Sequence, residues 1–395
     1  MKKPLIRIAG VLTILSLVLS ACIAKPTTCT DPLGCVSVGN KQPIRIAALL
    51  TLVGPDSPYG IDALRGVEIA VAAQQEVSGH PIEIVKVDDQ CSAEGGENGA
   101  RQIAADPTIV GVIGSSCSSS SIPAAKVLSS AGLVMISPSS TAASLTSASQ
   151  FQPGFFRTIY NDRAQGKAVA EFAYRVLGLR TMSTIDDRTP YSTELTAAAC
   201  DDFEKLGGDC LGRIHIVSGQ DVSPQIFWLS KLNTDVLYMP IYTVDGVNVV
   251  RQASQLSLKN ALISSDGLVS RDFLMQTLEI SQGMYFTGPA SVQEPESFAG
   301  QYRARFSEDP IASYHLQGYD AAMLLFSAIQ KAAVGASPSD GSLLIRRQAL
   351  RDAILQVRDV AGLSGPLTCS QFGDCAEPRI EIFQIQGADF VPIYP

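Results

Sequence analysis

Two short stretches of this chain concentrate residues that can do chemistry. Ser115-Ser116-Cys117-Ser118-Ser119-Ser120-Ser121 and Ser137-Pro138-Ser139-Ser140-Thr141 each place small hydroxyls directly after an apolar run. Hydroxyls and free backbone N–H groups at a helix start suit a small anion such as a carboxylate. The plainer alternative is a pair of ordinary serine-rich loops. Nucleophilic chemistry fits less well. Gly114-Ser115-Ser116-Cys117-Ser118 has serine where the second glycine of a nucleophile elbow belongs. A serine nucleophile also needs a histidine base, and the chain offers only His80, His215 and His315, widely scattered. Ser118 therefore reads as a hydrogen-bond donor. No Gly-x-x-x-x-Gly-Lys phosphate loop occurs.

The elements around these loops predict how they are held. Ile109 to Ile113 and Leu133 to Ile136 are short runs with β-branched residues, as in strands buried on both faces. Pro123 to Ala131 between them reads as a helix, giving a strand–helix–strand unit with a right-handed crossover. Both serine loops then fall at the same sheet edge, where open α/β sheets bind ligands. Upstream, Pro43 to Val53 and Ile82 to Val87 read as strands, with helices near Leu64 to Ala73 and Gly99 to Ala105. This βαβαβ order predicts a doubly wound sheet. The pattern restarts after Phe155-Phe156-Arg157-Thr158. Strands are expected at Thr181 to Ile185, Arg213 to Val217, Val236 to Pro240 and Ala261 to Ser264. Helices are expected at Gln165 to Leu177, Leu195 to Leu206, Pro224 to Leu232, Val247 to Leu256, Glu296 to Phe306 and Gly318 to Ala333, with a late strand at Ile380 to Gln384. Two successive α/β halves mean two lobes.

Composition narrows the function. The chain has 395 residues, enough for two full cores, and its 46% hydrophobic and 17% charged content is that of a globular protein. A net charge of −8 leaves no basic face for nucleic acid. At the N-terminus, Lys2, Lys3 and Arg7 precede the apolar run Ile8 to Leu19, too short for a stable membrane span and typical of a secretion signal. The run ends in Leu19-Ser20-Ala21-Cys22, which looks like a bacterial lipobox. Cleavage before Cys22 would leave a thiol for acylation; the alternative is an ordinary signal cut after Ala21. Residues 1–22 are thus read as a lipoprotein signal and 23–42 as a flexible tether. Of nine cysteines, eight remain beside Cys22, an even number that suits an oxidising compartment. Cys29 with Cys35, Cys200 with Cys210 and Cys369 with Cys375 are close in sequence. The remaining Cys91 and Cys117 would join the ends of two strands. A zinc site is rejected, because no Cys-x-x-Cys occurs and the histidines do not cluster.

Read in order, the chain resembles the leucine/isoleucine/valine-binding protein family, the type I solute-binding proteins of bacterial ABC importers. The resemblance runs from about Pro43 to about Phe390. It rests on Tyr59-Gly60, Val87-Asp88-Asp89-x-Cys91, Gly114-x-x-Cys117-Ser118-Ser119-Ser120 and Ile136-Ser137-Pro138-x-x-Thr141. Phe155-Phe156-Arg157-Thr158, Asp187 with Tyr191, Tyr242, Asp266-Gly267 and Tyr319-Asp320-Ala321 follow in the expected order. The resemblance implies two doubly wound α/β lobes joined by a three-strand hinge. Lobe one would take 43–159 and 289–364, and lobe two 160–288 and 365–395. The hinge strands would lie near Arg157 to Asn161, Thr287 to Ala290 and Leu363 to Thr368.

The resemblance also implies a site. Ser118 and Thr141 would hold the carboxylate of an α-amino acid, the Ser139 carbonyl and Asp266 its ammonium, and Tyr59, Tyr191, Tyr242 and Tyr314 would cover it. Alternative readings stand beside these: Asp266 as a turn cap, Tyr59 and Tyr191 as exposed loop aromatics, Thr141 as a helix cap. Ser119 and Ser120 read as structural. Family members often carry glutamate where Asp266 stands and usually Tyr-Gly where this chain has Tyr191-Ser192, and a glycine-rich strand end becomes Met239-Pro240-Ile241 here. The implied partners are an amino-acid ligand, the permease subunits of an ABC importer and the outer face of the cytoplasmic membrane, reached through a lipid on Cys22. A monomer without cofactor or metal and without enzymatic activity is expected. A sensor lipoprotein of the same fold is the competing function.

Overall fold

The computed structural model describes residues 28–336 and 341–395. The expected signal segment 1–22, its lipobox Cys22 and residues 23–27 lie outside the described residues.

Two mixed sheets, each flanked by helices, form two lobes. The first sheet runs in the order Glu76–Val77, His80–Asp88, Ile44–Leu50, Ile109–Gly114, Met135–Ser137, Phe155–Arg157. All neighbours are parallel except the short Glu76–Val77 edge. Ile109–Gly114 is buried at every position, as its unbroken apolar run requires of a strand covered on both faces. One face packs Ile46, Ile113 and Ile136 against Val67 and Ala70 of the helix Ser57–Gln74 and Leu325 and Ile329 of the helix His315–Ala332. The other packs Ala47, Leu49 and Val112 against Ala100 and Ile103 of Ala93–Ala105 and Ala124 and Leu128 of Ser118–Ser130. The arrangement is doubly wound.

The second sheet runs Asp389–Tyr394, Ile380–Gln386, Tyr285–Pro289, Ala261–Ser264, Val236–Tyr238, Thr181–Asp186, Asp209–His215. Its five strands from the middle of the chain are parallel, and the C-terminal hairpin adds on antiparallel. Helices Asp162–Glu171 and Pro190–Lys205 cover one face and Ser223–Leu229, Thr243–Gln255 and Arg271–Thr277 the other.

Three expectations need correction. First, the described part of the 23–42 tether is built into the first lobe. Cys29 is bonded to Cys35, and Cys35–Val38 pairs antiparallel with Leu343–Arg346 while Val36 and Val38 enter the core. The four-residue strand is too short to show a period, and its partner lies near the other end of the chain. Second, residues 366–376 do not belong with the second lobe. Leu367, Cys369 and Cys375 pack with Phe156 and Ile354, and Arg157 N donates to Gly373 O at 2.9 Å. Third, the hinge strand expected near Leu363 to Thr368 consequently is not a crossing. The chain passes to the second sheet between Ala376 and Ile380, where Ala290 N donates to Arg379 O at 3.0 Å beside the Pro289 crossing. Gly365-Pro366 instead closes the hairpin of Val360–Ala361 with Pro366–Leu367.

Candidate functional site

The first-lobe side of the site is a hydroxyl-lined tip pinned by an acid. At Gly114 (φ 130°) a Cβ would come within 1.9 Å of the Leu49 carbonyl, so only glycine lets the strand end there. The buried Asp89 then gathers the loop: its carboxylate accepts from Thr51 Oγ1 at 2.5 Å, Ser116 N at 2.7 Å and Cys91 N at 2.9 Å. Burial raises the Asp89 pKa, and these donors work against that rise. The Cys91–Cys117 disulfide ties the same two strand ends, and the other three expected pairs are also bonded. Ser118 opens the helix Ser118–Ser130, several residues earlier than periodicity suggested, with Cys117 as its cap. Serine is a poor apolar marker, which hid the first turn.

The hydroxyls divide by task. Ser115, Ser120, Ser121 and Ser140 bond to one another at 2.7–2.9 Å, and Ser119 Oγ donates to the Cys91 carbonyl, so they hold the loops together. Ser118 Oγ accepts from Ala142 N at 3.0 Å, and Ser139 Oγ donates to Ser116 O at 2.8 Å. Thr141 Oγ1 is buried without a partner.

The second-lobe side is built on three loop ends. Asp266 follows Ala261–Ser264, Tyr191 lies in the first turn of Pro190–Lys205 and Tyr242 precedes Thr243–Gln255. Asp266 is 2% exposed. Its Oδ1 accepts from Tyr191 Oη at 2.8 Å and Gln165 Nε2 at 3.0 Å, and its Oδ2 from Tyr314 Oη at 3.1 Å. Side chains from three other elements thus orient this carboxylate, which is more than a turn cap requires. Burial raises its pKa, and the Gln165, Tyr191 and Tyr314 donors oppose that. Tyr191 stacks on Tyr242 with ring centroids 5.2 Å apart.

The two sides meet. From the first lobe, Tyr59 Oη donates to Gly267 O at 2.6 Å and lies 2.8 Å from Thr243 Oγ1, and Ser144 N donates to Glu194 Oε2 at 2.9 Å. Tyr59, Ser118, Ser139, Tyr191, Tyr242, Asp266 and Tyr314 line one cavity of about 10 Å³ between the lobes. Seven of the eight residues singled out from sequence are therefore brought together. Thr141 does not line that cavity; it sits beside it, next to Ala142, whose N–H is bonded to Ser118. Ser116, Cys117 and Gly267 also line it and were not singled out as ligand contacts, although Cys117 adjoins Ser118 and Gly267 adjoins Asp266. Gln165 was missed as well. Its spacing one turn after Asp162 at a helix start was the available signal. A larger cleft of about 790 Å³ lies among Met275, Leu278, Arg271 and Phe390, and none of the eight lines it.

Comparison with known proteins agrees with this two-lobed fold. The family described as "Periplasmic binding protein" matches residues 43–388. The chain is 27% identical over 340 residues to the Leu/Ile/Val-binding protein of Escherichia coli K12, covering 84% of this chain and 88% of that one. A leucine binding protein from Thermotoga maritima superposes with a TM-score of 0.79 at 25% identity, over 89% of this chain and 99% of that one. An ABC transporter solute binding protein from R. palustris in complex with benzoate gives 0.77 at 19% identity, over 89% and 96%.

Proposed function

The chain belongs to the periplasmic binding protein family, and on that premise we propose that it captures an α-amino acid, branched-chain or related, between its lobes. It is a solute-binding protein rather than an enzyme. An amino-acid zwitterion loses water from two full charges when the lobes close, so each charge needs a partner. Ser118, Thr141 and the N–H groups of the first-lobe tip serve the carboxylate, with the Ser139 carbonyl beside the ammonium. Asp266 supplies the opposite charge from the second lobe, and Tyr59, Tyr191, Tyr242 and Tyr314 close over the ligand. A ligand favours closure only by binding the closed form better, and Asp266 and Tyr191 engage it only when the lobes meet.

One observation carries this reading. A buried carboxylate, held by three donors, faces a hydroxyl-rich strand tip across a seam lined by tyrosines. In the same reading the exported chain is tethered through lipid on Cys22 to the outer face of the cytoplasmic membrane, and a monomer hands its ligand to ABC permease subunits. The lobes divide at the three crossings, with residues to about 376 in the first.

The test is a thermal-shift screen of the twenty amino acids and of carboxylates without an amine, benzoate among them, followed by calorimetry. An amino acid should raise the melting midpoint in a concentration-dependent way. Asp266→Asn should then weaken its binding by about 2–5 kcal/mol, the range for breaking a buried charged pair. Binding of amine-free acids alone, or an unchanged affinity in Asp266→Asn, would overturn the reading.

A further inference from the structure

Beside the cleft, where the helix Asp162–Glu171 begins, several buried polar atoms have no partner. At hydrogen-bonding distance and angle they are both carboxylate oxygens of Asp162, the Thr141 hydroxyl, the Gln165 amide oxygen and the Tyr238 hydroxyl, although the Thr141 hydroxyl lies near enough to Asp162 to favour its charged form and Ser265 is similarly placed at Tyr238. Asp162 is 0% exposed. These atoms form one neighbourhood. Asp162 N donates to Thr141 O at 2.9 Å. Gln165 lies one turn further along the helix and donates to Asp266 Oδ1 at 3.0 Å. The Tyr238 hydroxyl feels the charges of both Asp162 and Asp266.

The local cation does not meet the need. Arg157 directs Nε to Asp374, Nη1 to the carbonyls of Ser140 and Ala142 and Nη2 to Thr146. Gln165 Oε1 accepts only, and so do the Asp162 oxygens once ionised. A second carboxylate, Asp266, is bonded to the same glutamine. Two buried acids and a spare acceptor call for a group that brings positive charge and several N–H donors together.

We propose that Asp162 is a second acidic contact for the ligand's ammonium, acting with Asp266 and Gln165, and that this pair selects primary-ammonium compounds over acids of the same shape without the amine. The inference rests on the cleft being an amino-acid site. It adds a proton to the binding step. Burial, and then the charge of Asp266, push the Asp162 carboxyl well above the usual carboxylate range. Arg157, Glu194, Tyr160 and Tyr238 are the other charged or titratable groups that face it. Before binding, the pair of acids holds a proton; the arriving ammonium supplies the positive charge instead, and the proton leaves to solvent.

The experiment is calorimetry on the full exported chain and on Asp162→Asn. The probes are L-leucine, L-isoleucine and L-valine, each beside the acid that lacks its amine. The expected result is a tenfold or greater loss of amino-acid affinity in Asp162→Asn, with the amine-free acid little changed, so that discrimination collapses. Equal losses for both members of a pair, or no loss, overturn the inference and leave the amino-acid site standing. Wild-type chain that binds none of the three amino acids overturns both. If Asp162→Asn does not fold, wild-type titrations at pH 6 and 7 in buffers of different ionisation enthalpy decide. Because closure takes up a proton at Asp56 with either ligand, the difference decides: greater net proton release with the amino acid than with its amine-free partner supports the contact, and equal proton exchange for the two overturns it.

Discussion

The Tyr314 hydroxyl donates to Asp266 Oδ2 at 3.1 Å, and the two residues stand on opposite lobes. Tyr314 caps the helix His315–Ala332 of the first lobe, whereas Asp266 closes a strand of the second. The bond therefore forms only when the cleft shuts. A hydrogen bond to a charged group contributes about 1.5–3 kcal/mol. Tyr314→Phe should shift the population toward the open form and weaken ligand binding by about tenfold, a factor that corresponds to about 1.4 kcal/mol. Small-angle scattering should report a larger radius of gyration for the variant at a ligand concentration that closes the wild type. Identical profiles would show that the bond does not govern closure.

Facing carboxylates oppose the same closure at the rim. Asp56 of the first lobe faces Asp187 and Asp245 of the second; burial first, then those two charges, raise its pKa from 3.8 to about 6. A raised carboxyl pKa means that the closed form binds the proton more tightly. The closed form is thus favoured at low pH, and a penalty develops as pH rises from about 4 through about 6. The Asp56 contribution to affinity, read as wild type relative to Asp56→Asn, should improve by up to about tenfold between pH 7.5 and 5, one unit of pKa shift being a factor of ten. Asp56→Asn should bind more tightly at pH 7.5 and lose this dependence. Titrations at the two pH values check both statements.

Much of this was legible in the sequence, for identifiable reasons. Strands buried on both faces, such as Ile109–Gly114, leave unbroken apolar runs. The ordered motifs that carry the family resemblance let Tyr59, Ser118, Ser139, Tyr191, Tyr242, Asp266 and Tyr314 be singled out before their convergence on one cavity was visible. What escaped has no local signature. Cys35–Val38 is defined by its pairing with Leu343–Arg346. Residues 366–376 are assigned by a tertiary bond, Arg157 to Asp374, and by a core shared with Phe156. Asp162 reads as an ordinary first-turn acid until its burial is known.

A second pH effect concerns stability rather than closure. His315 sits between two carboxylates, with Nδ1 2.9 Å from Asp62 Oδ2 and Nε2 2.6 Å from Glu294 Oε1. Burial alone would lower its pKa, but the Asp62 and Glu294 charges and hydrogen bonds outweigh burial and raise it from 6.5 to about 10. For a raised histidine the stabilisation is fully present below about pH 6.5 and is lost as pH rises through about 10. The urea midpoint of the wild type should therefore fall between pH 7 and 10. His315→Gln should start lower at pH 7 and decline less over that window. Parallel slopes for the two proteins would remove the imidazolium as the cause.

The spacing of the first lobe's two tyrosines depends on how closely two helices cross. Tyr59 lies in Ser57–Gln74 and Tyr314 heads His315–Ala332, and their rings meet edge to face at 6.0 Å. The helices approach over glycines: a Cβ at Gly66 would fall 1.8 Å from the His315 carbonyl oxygen, and one at Gly318 would fall 2.2 Å from that of Ala63. Neither obstacle is a flexible side-chain end, so an added methyl must push the helices apart. Overpacking of this kind costs about 1–3 kcal/mol. The displacement also carries Tyr314 away from Asp266. Gly66→Ala should therefore lower the denaturation midpoint and, at a temperature where the variant is fully folded, also weaken ligand binding. A fully folded Gly66→Ala with wild-type affinity would separate the helix crossing from the site.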